Sequence, residues 1–589
     1  MPYHIKFISG PKRRLVSIVA MSLLFAACAG TPVGAGTDVT AGQTLAGNYL
    51  AGRHAQSEGD MDAASVYLGA ALQIDPEQAD LIRRTFLVYL SDARYDDAFG
   101  LAEQIVEFDP GDVFAVMSLA SRDLKAGNFE AARARLANVA QEGISAYLAP
   151  LLVAWAYTGD GNVDAALEAI AHLKQSPATA MLHEAHAALI QASVGNTGEA
   201  EKLFGTLMEG QGGLSLRTTE LLGALYEKTG QLEKAAALYN GYRNENGDTR
   251  LMNMLLARVE KRKLSPESSS ESSNGNFMTA AEGAAEAMLD LTGSLRQQNA
   301  HESALLLARL GLYLHPSFPT FELITGSTLE DIGRYEDANA IYAELDPNSA
   351  YAWNAQLRIA TNLDILGKTD EAIVALRRMA DENLTEAGPL IDLGDILRSA
   401  ERFSEAVDAY DEAFGRLPEA SHDRYWSLYY ARGIALERSK NWGRAEADLL
   451  KALEYKPDQP YVLNYLGYSW IEKRMNLDRA EDMVRKAVSL RPNDGYIVDS
   501  LGWVYYQLGD FDNAVSELER AVELLPEDPV INDHLGDAYW RVGRQREARF
   551  QWRRSASLDP ESEIINTVRE KIENGMSDPV TANDSGGNG

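Results

Sequence analysis

Cysteine is all but missing from this chain. Cys28 is the only one in 589 residues. One thiol closes no intramolecular disulfide, so the body must be held by packing alone, as a large core allows. Long apolar runs are also missing. The longest runs from Leu15 to about Ala26, broken by Ser17 and Ser22, and is too short for the ~20 residues of a membrane-spanning helix. Positive charge is in deficit, with 55 Lys and Arg against 86 Asp and Glu and a formal charge of −31. Such a surface repels nucleic acid and anionic lipid, which argues against a nucleic-acid partner. Acid is absent before Asp38, while Lys6, Lys12, Arg13 and Arg14 precede the apolar run and small residues close it. That order is the order of a secretory signal, and it places the mature protein outside the cytoplasm.

The lone cysteine sits where the signal ends. Phe25-Ala26-Ala27-Cys28 resembles the bacterial lipobox, with Phe25 where leucine is usual. The resemblance implies that residues 1–27 are removed, that the Cys28 sulfur carries diacylglycerol, and that the new amino terminus is acylated. Several acyl chains anchor stably where one does not. Ala29, in place of an aspartate, implies an outer-membrane lipoprotein facing the periplasm. An ordinary signal with an incidental cysteine would leave a secreted or periplasmic protein. Residues 28–44, glycine-rich and polar, read as a flexible tether.

The rest of the chain repeats itself. A glycine is followed five residues later by alanine at Gly59/Ala64, Gly127/Ala132, Gly161/Ala166, Gly195/Ala200, Gly230/Ala235, Gly333/Ala338, Gly367/Ala372, Gly509/Ala514 and Gly543/Ala548. Ala98, Ala304, Ala406, Ala445 and Ala480 hold the same place without the glycine. Most neighbouring alanines are 34 or 35 apart, and proline often follows by twelve, as at Ala64/Pro76, Ala445/Pro457 and Ala514/Pro526. Leu466-Gly467, Leu501-Gly502 and Leu535-Gly536 precede the alanine, each followed by aromatics. Glycine past a helix end takes the left-handed conformation that closes its carbonyls. Alanine gives a small face where two helices cross, and proline ends the second helix. Each unit is a helical hairpin that must stack on its neighbours to bury its apolar face.

This pattern resembles the tetratricopeptide repeat family, most specifically from Tyr425 to Pro560, where "YLGYSW", "SLGWVYY" and "HLGDAYW" stand. The resemblance implies an all-α right-handed superhelical solenoid of about 14 hairpins. A serine-rich segment, residues 264–276, interrupts the register and reads as a disordered linker. It would divide an N-terminal solenoid, 45–263, from a C-terminal one, 277–574. Residues 250–263 read as a lone helix capping the first and 561–574 as a cap on the second, with a disordered tail to 589.

No catalytic constellation is present, and neither cofactor nor metal is expected. In "HEAH", residues 183–186, Ala187 stands where a helical zinc motif needs histidine. The two histidines read as partly exposed. "GLSLRT" near Gly213 is no nucleophile elbow. Function then rests on surface. The resemblance implies that the first helix of each unit lines a concave groove, with Tyr461, Asn464, Tyr468, Tyr496, Asp499, Trp503, Tyr506, Asp533, Asp537, Trp540 and Arg541 facing it. Trp470, Tyr505 and Tyr539 take the core aromatic place. Such a band suits an extended peptide or a partner's helix. The family's clamp for a terminal carboxylate uses Lys and Asn in the groove, where this chain has Asn464, Asp499 and Asp533, which favours a neutral or basic ligand. The expectation is a membrane-anchored, non-enzymatic protein-binding adaptor. A peptidoglycan or carbohydrate binder is the alternative, and a hydrolase a more remote one.

Overall fold

The computed structural model describes residues 39–211, 215–246, 250–264, 277–558 and 562–576. The signal, Cys28, the linker after Leu264 and the tail after Met576 lie outside the described residues. Among those described, the chain forms thirty α-helices and no strand. They pair into fourteen successive hairpins, with single helices Arg250–Leu264 and Ser562–Asn574 left over.

The repeat markers do what their chemistry dictates. All nine glycines adopt φ between +76° and +84°, just past the first helix of their hairpin. All fourteen alanines are fully buried. Pro76, Pro110, Pro418, Pro457, Pro492 and Pro526 each lie two residues past the end of a second helix. The Leu-Gly glycine permits close helix crossing: a Cβ on Gly536 would stand 2.4 Å from the Trp552 indole.

Where the turn lacks glycine, its backbone does not change. Ala93, Asn299, Glu401 and Lys440 take φ of 57°, 59°, 61° and 66° at that position. The extra residue before Ala480 is absorbed by two such residues, Arg474 and Asn476. An L-residue with a Cβ is strained there by roughly 1–2 kcal/mol. Glycine also loses more entropy on folding, so Lys440→Gly is expected to stabilise the protein by about 0.5–1 kcal/mol. A urea titration checks this, and Ser439→Gly, with ordinary φ of −83°, should destabilise or be neutral.

The chain divides into two compact units among the described residues, 39–368 and 369–576. The division does not fall at 264–276, and the expected two-solenoid boundary is corrected accordingly. In the first unit six hairpins lead to Arg250–Leu264, whose Met252, Leu255 and Val259 pack on Ala235, Ala236 and Tyr239 as a cap. The hairpin after the linker, Ala280–Gln297 and His301–Leu314, does not start a separate body. It packs on the first helices of four earlier hairpins, Ala79–Ser91, Val113–Lys125, Ser145–Gly159 and Pro177–Ser193. One core runs continuously from Ile82 through Trp155 to Ala284, Leu307 and Phe321.

The second unit stacks its hairpins in sequence, closed by Ser562–Asn574. The insertion around Pro418 forms a 3-10 helix, Glu419–Tyr425.

Candidate functional site

Two faces made by first helices are candidates for partner binding, one in each unit. In the unit 39–368 that face is already covered by the hairpin Ala280–Leu314. Gly283 lies against the Trp155 indole, where a Cβ would stand 2.2 Å from the ring. Trp155 Nε1 donates to His186 Nδ1 at 3.1 Å. An indole only donates, so the His186 proton sits on Nε2, 3.4 Å from Asp290 Oδ2 of the covering helix. Arg217 pairs with Glu286. Burial pushes the Glu286 carboxyl up against the pull of Arg217. On the second covering helix, Arg309 Nε donates to the Ser91 carbonyl at 2.9 Å, and Tyr95 Oη donates to the Arg309 carbonyl at 2.8 Å. Burial pushes the Tyr95 phenol up to about 12. Tyr313 packs its ring 5.0 Å from those of Tyr95 and Phe99.

His186 is therefore fully buried, not partly exposed as its place in "HEAH" suggested. It is one turn from His183 on the same helix and is held by a tryptophan. Among the described residues no group of three His, Cys, Asp or Glu is placed to hold a metal ion.

The eleven expected groove residues lie in the second unit, and the structure separates them. Tyr461, Tyr496, Tyr506, Trp540 and Arg541 are partly exposed. Asn464, Tyr468, Asp499, Trp503, Asp533 and Asp537 are buried, which corrects the expectation that they face a ligand. The cause is repeat-to-repeat packing, in which most of these side chains find a polar partner across a hairpin boundary. Asn464 Nδ2 donates to Ser500 Oγ at 3.1 Å. His534 Nδ1 meets both Asp499 oxygens at 3.0 and 3.1 Å. Trp503 Nε1 donates to Glu472 at 2.8 Å, and its ring stacks on His534 and Tyr506 at 4.0 and 4.7 Å. The inference of ligand charge from Asn464, Asp499 and Asp533 falls with their burial. Trp470, Tyr505 and Tyr539 are buried, in keeping with their core place.

The two remaining acids meet a residue that sequence reasoning missed. Lys571, on the closing helix, lies 2.9 Å from Asp533 Oδ1 and 2.7 Å from Asp537 Oδ1. Burial and the neighbouring Asp537 push the Asp533 carboxyl up to about 6, while Lys571 pulls it back. No sequence signal joins Lys571 to its partners, which lie beyond any helical spacing. Also missed were Asp392 and Asp395, beside Leu393-Gly394, which partly line the same set of first helices. Burial and Asp395 push Asp392 up to about 6. Counting from that Leu-Gly pair would have found them. Tyr430 and Tyr465 extend the aromatic band, their rings edge-to-face at 6.1 Å.

Within this unit, among the described residues, the first helices pack on their sequence neighbours, and no other helix makes an extensive contact with them. No described helix is long and apolar enough to cross a membrane.

The architecture is that of a helical-hairpin repeat protein. Family models for the tetratricopeptide repeat match residues 391–460 and 430–495, and a TPR-repeat model matches 502–543; over those residues the chain is built of tetratricopeptide repeats. The repeats point to a protein-interaction scaffold. No curated protein matches the chain. Among solved structures, it is similar to the Cut9–Hcn1 hetero-tetramer of APC/C, at 16% identity over 90% of this chain and 96% of that one, TM-score 0.38. It is similar to YrrB, described as a TPR protein with an unusual peptide-binding site, at 20% identity over 33% of this chain and 98% of that one, TM-score 0.26. A tetratricopeptide-repeat protein from Parabacteroides merdae is 14% identical over 49% of this chain and 99% of that one, TM-score 0.33.

Proposed function

We propose that the protein is a membrane-anchored periplasmic adaptor that takes partner proteins on the first-helix face of residues 388–541. The observation that carries this is the contrast between the two units. The corresponding face of residues 39–368 is filled by the chain's own hairpin, through buried contacts at Trp155 and His186 and a partly buried ion pair at Arg217. The face of 388–541 keeps Tyr461, Tyr496, Tyr506, Trp540 and Arg541 partly exposed. Aromatic and arginine side chains of this kind are the usual anchors of protein interfaces. The lipobox resemblance at Cys28 supports the anchor, and tethering concentrates bound partners at the membrane without new contacts.

The test is co-purification from detergent-solubilised envelope, comparing the wild type with Tyr461→Ala/Tyr496→Ala. The expected result is a stoichiometric protein partner that the double variant loses. Sacculus fragments recovered with no such partner would replace the adaptor with a peptidoglycan binder. For the anchor, Cys28→Ser is expected to move the folded protein into the soluble fraction. Retention of that variant on membranes after a salt wash would remove the lipid from the account.

A further inference from the structure

The last hairpin carries a surface unlike that of the hairpin before it. Its second helix, Gln545–Ser557, buries Ala548, Trp552 and Ser555. Its opposite face exposes Arg546, Phe550, Arg553, Arg554 and Ser557. Their spacings from Arg546 are four, seven, eight and eleven, which is one stripe of a helix. Phe550 is 65% exposed at the middle of it. At the same register in the preceding hairpin stand Asp512, Ser516, Glu519, Arg520 and Glu523.

Among the described residues little of the charge of this face is spent. Arg544 pairs with Glu519 and Glu547, but Arg546, Arg553 and Arg554 form no ion pair among the described residues. From Arg541 to Arg554 there are six arginines, no lysine and one acid, in a chain of net charge −31. A face kept only for solubility needs neither a large exposed aromatic nor arginine in preference to lysine. Arginine with an aromatic, and lysine depleted, is the composition of a protein interface core. A guanidinium fork grips a carboxylate with two parallel hydrogen bonds, where an ammonium acts as a point charge.

We infer that this face docks an acidic helix of a partner protein, with Phe550 in its apolar seam and Arg546, Arg553 and Arg554 on its carboxylates. The surface lies on a second helix, apart from the first-helix face assigned above, and does not depend on that reading. Protein is favoured over lipid by the neighbouring helix. Asp512, Glu519 and Glu523 hold the equivalent face of Phe511–Leu524, and an anionic bilayer broad enough to reach Arg546 would also meet them. A partner helix, about 10 Å across, need not.

The experiment uses the full chain and a fluorescein-labelled amphipathic helical peptide of Glu, Ala and Leu, read by anisotropy. Its Lys-for-Glu counterpart is the control. Binding to the Glu peptide alone is expected, weakened at least tenfold by Arg553→Glu/Arg554→Glu and several-fold by Phe550→Ser. Circular dichroism should show both variants folded, since none of these side chains is buried. Absence of wild-type binding, or affinity unchanged in the charge reversal, overturns the inference. So does a charge-reversal-sensitive binding to phosphatidylglycerol vesicles in place of the peptide, which makes the face a membrane contact. A concentration-dependent dimer abolished by the same reversal makes it a self-interface and overturns it equally.

Discussion

Gly283→Val unseats the hairpin that fills the first unit. The Cβ position is 2.2 Å from the Trp155 ring, and Trp155 is fully buried with its N–H committed to His186. Neither ring nor helix has room to yield. Overpacking of a core usually costs about 1–3 kcal/mol. Here the helix must also withdraw Glu286 from Arg217 and Asp290 from His186, which lie on the same face one and two turns on. Losing the charge-assisted bonds between the buried Glu286 and Arg217, which keeps only Glu220 beside it, adds a further loss on the order of 1–3 kcal/mol. A total of about 2–6 kcal/mol is therefore expected for the unit 39–368. Urea unfolding followed by tryptophan fluorescence reports it, together with faster hydrogen exchange in Ala79–Ser91, Val113–Lys125 and Ser145–Gly159. Gly293→Ala is the internal control. It sits on the same helix with nothing within 4 Å of its Cβ position and should stabilise slightly through helix propensity. If the valine variant is as stable as that control, the hairpin is not interlocked as described.

Lys571→Met opens the C-terminal cap of the unit 369–576. It removes the cation shared by Asp533 and Asp537, whose side chains are 0% and 5% exposed. Breaking a buried ion pair by removing one partner costs about 3–5 kcal/mol, because the remaining charge is left in a poor medium. The loss should depend on pH. Asp533 is already pushed up to about 6 by burial and Asp537 with the lysine present, and without it the Asp533 carboxyl rises further. A carboxyl raised above its unfolded value binds protons more tightly when folded, so its stabilising effect is complete below the unfolded value near 4 and is lost as pH rises through the folded one. The variant should accordingly recover stability as pH falls from 8 to 5. The triple variant Lys571→Met/Asp533→Asn/Asp537→Asn should restore much of the loss and flatten the pH response. A deficit that is equal at pH 5 and 8 would mean that the two carboxylates are not its source.

Lys571 and Gly283 also mark where sequence reasoning stops. The hairpin register was legible from Gly59 to Ala548 because a helix end, a tight crossing and a helix stop each demand a residue type, at spacings the chain repeats. Even the turns without glycine were placed, since Ala98, Ala304, Ala406 and Ala445 kept the count. The candidate site was legible only as a set of helices. Asn464 and Asp499 share their register with groove positions, yet whether such a residue meets solvent or the next hairpin depends on the partner across the boundary. Ser500 and His534 take them inward. For Tyr461 and Tyr496, on the first turn of their helices, part of the ring stays outside.

By itself, then, the sequence determined the helical-hairpin repeat, its phase and its tetratricopeptide character, all of which are set by contacts within about one repeat length. Only the tertiary structure decided that residues 280–314 fill the face made by helices more than a hundred residues earlier, and that Lys571 closes over Asp533 and Asp537. Those pairings have no period. They depend on where the stacked hairpins carry each helix in space, and on which buried charge or missing side chain is there to receive it.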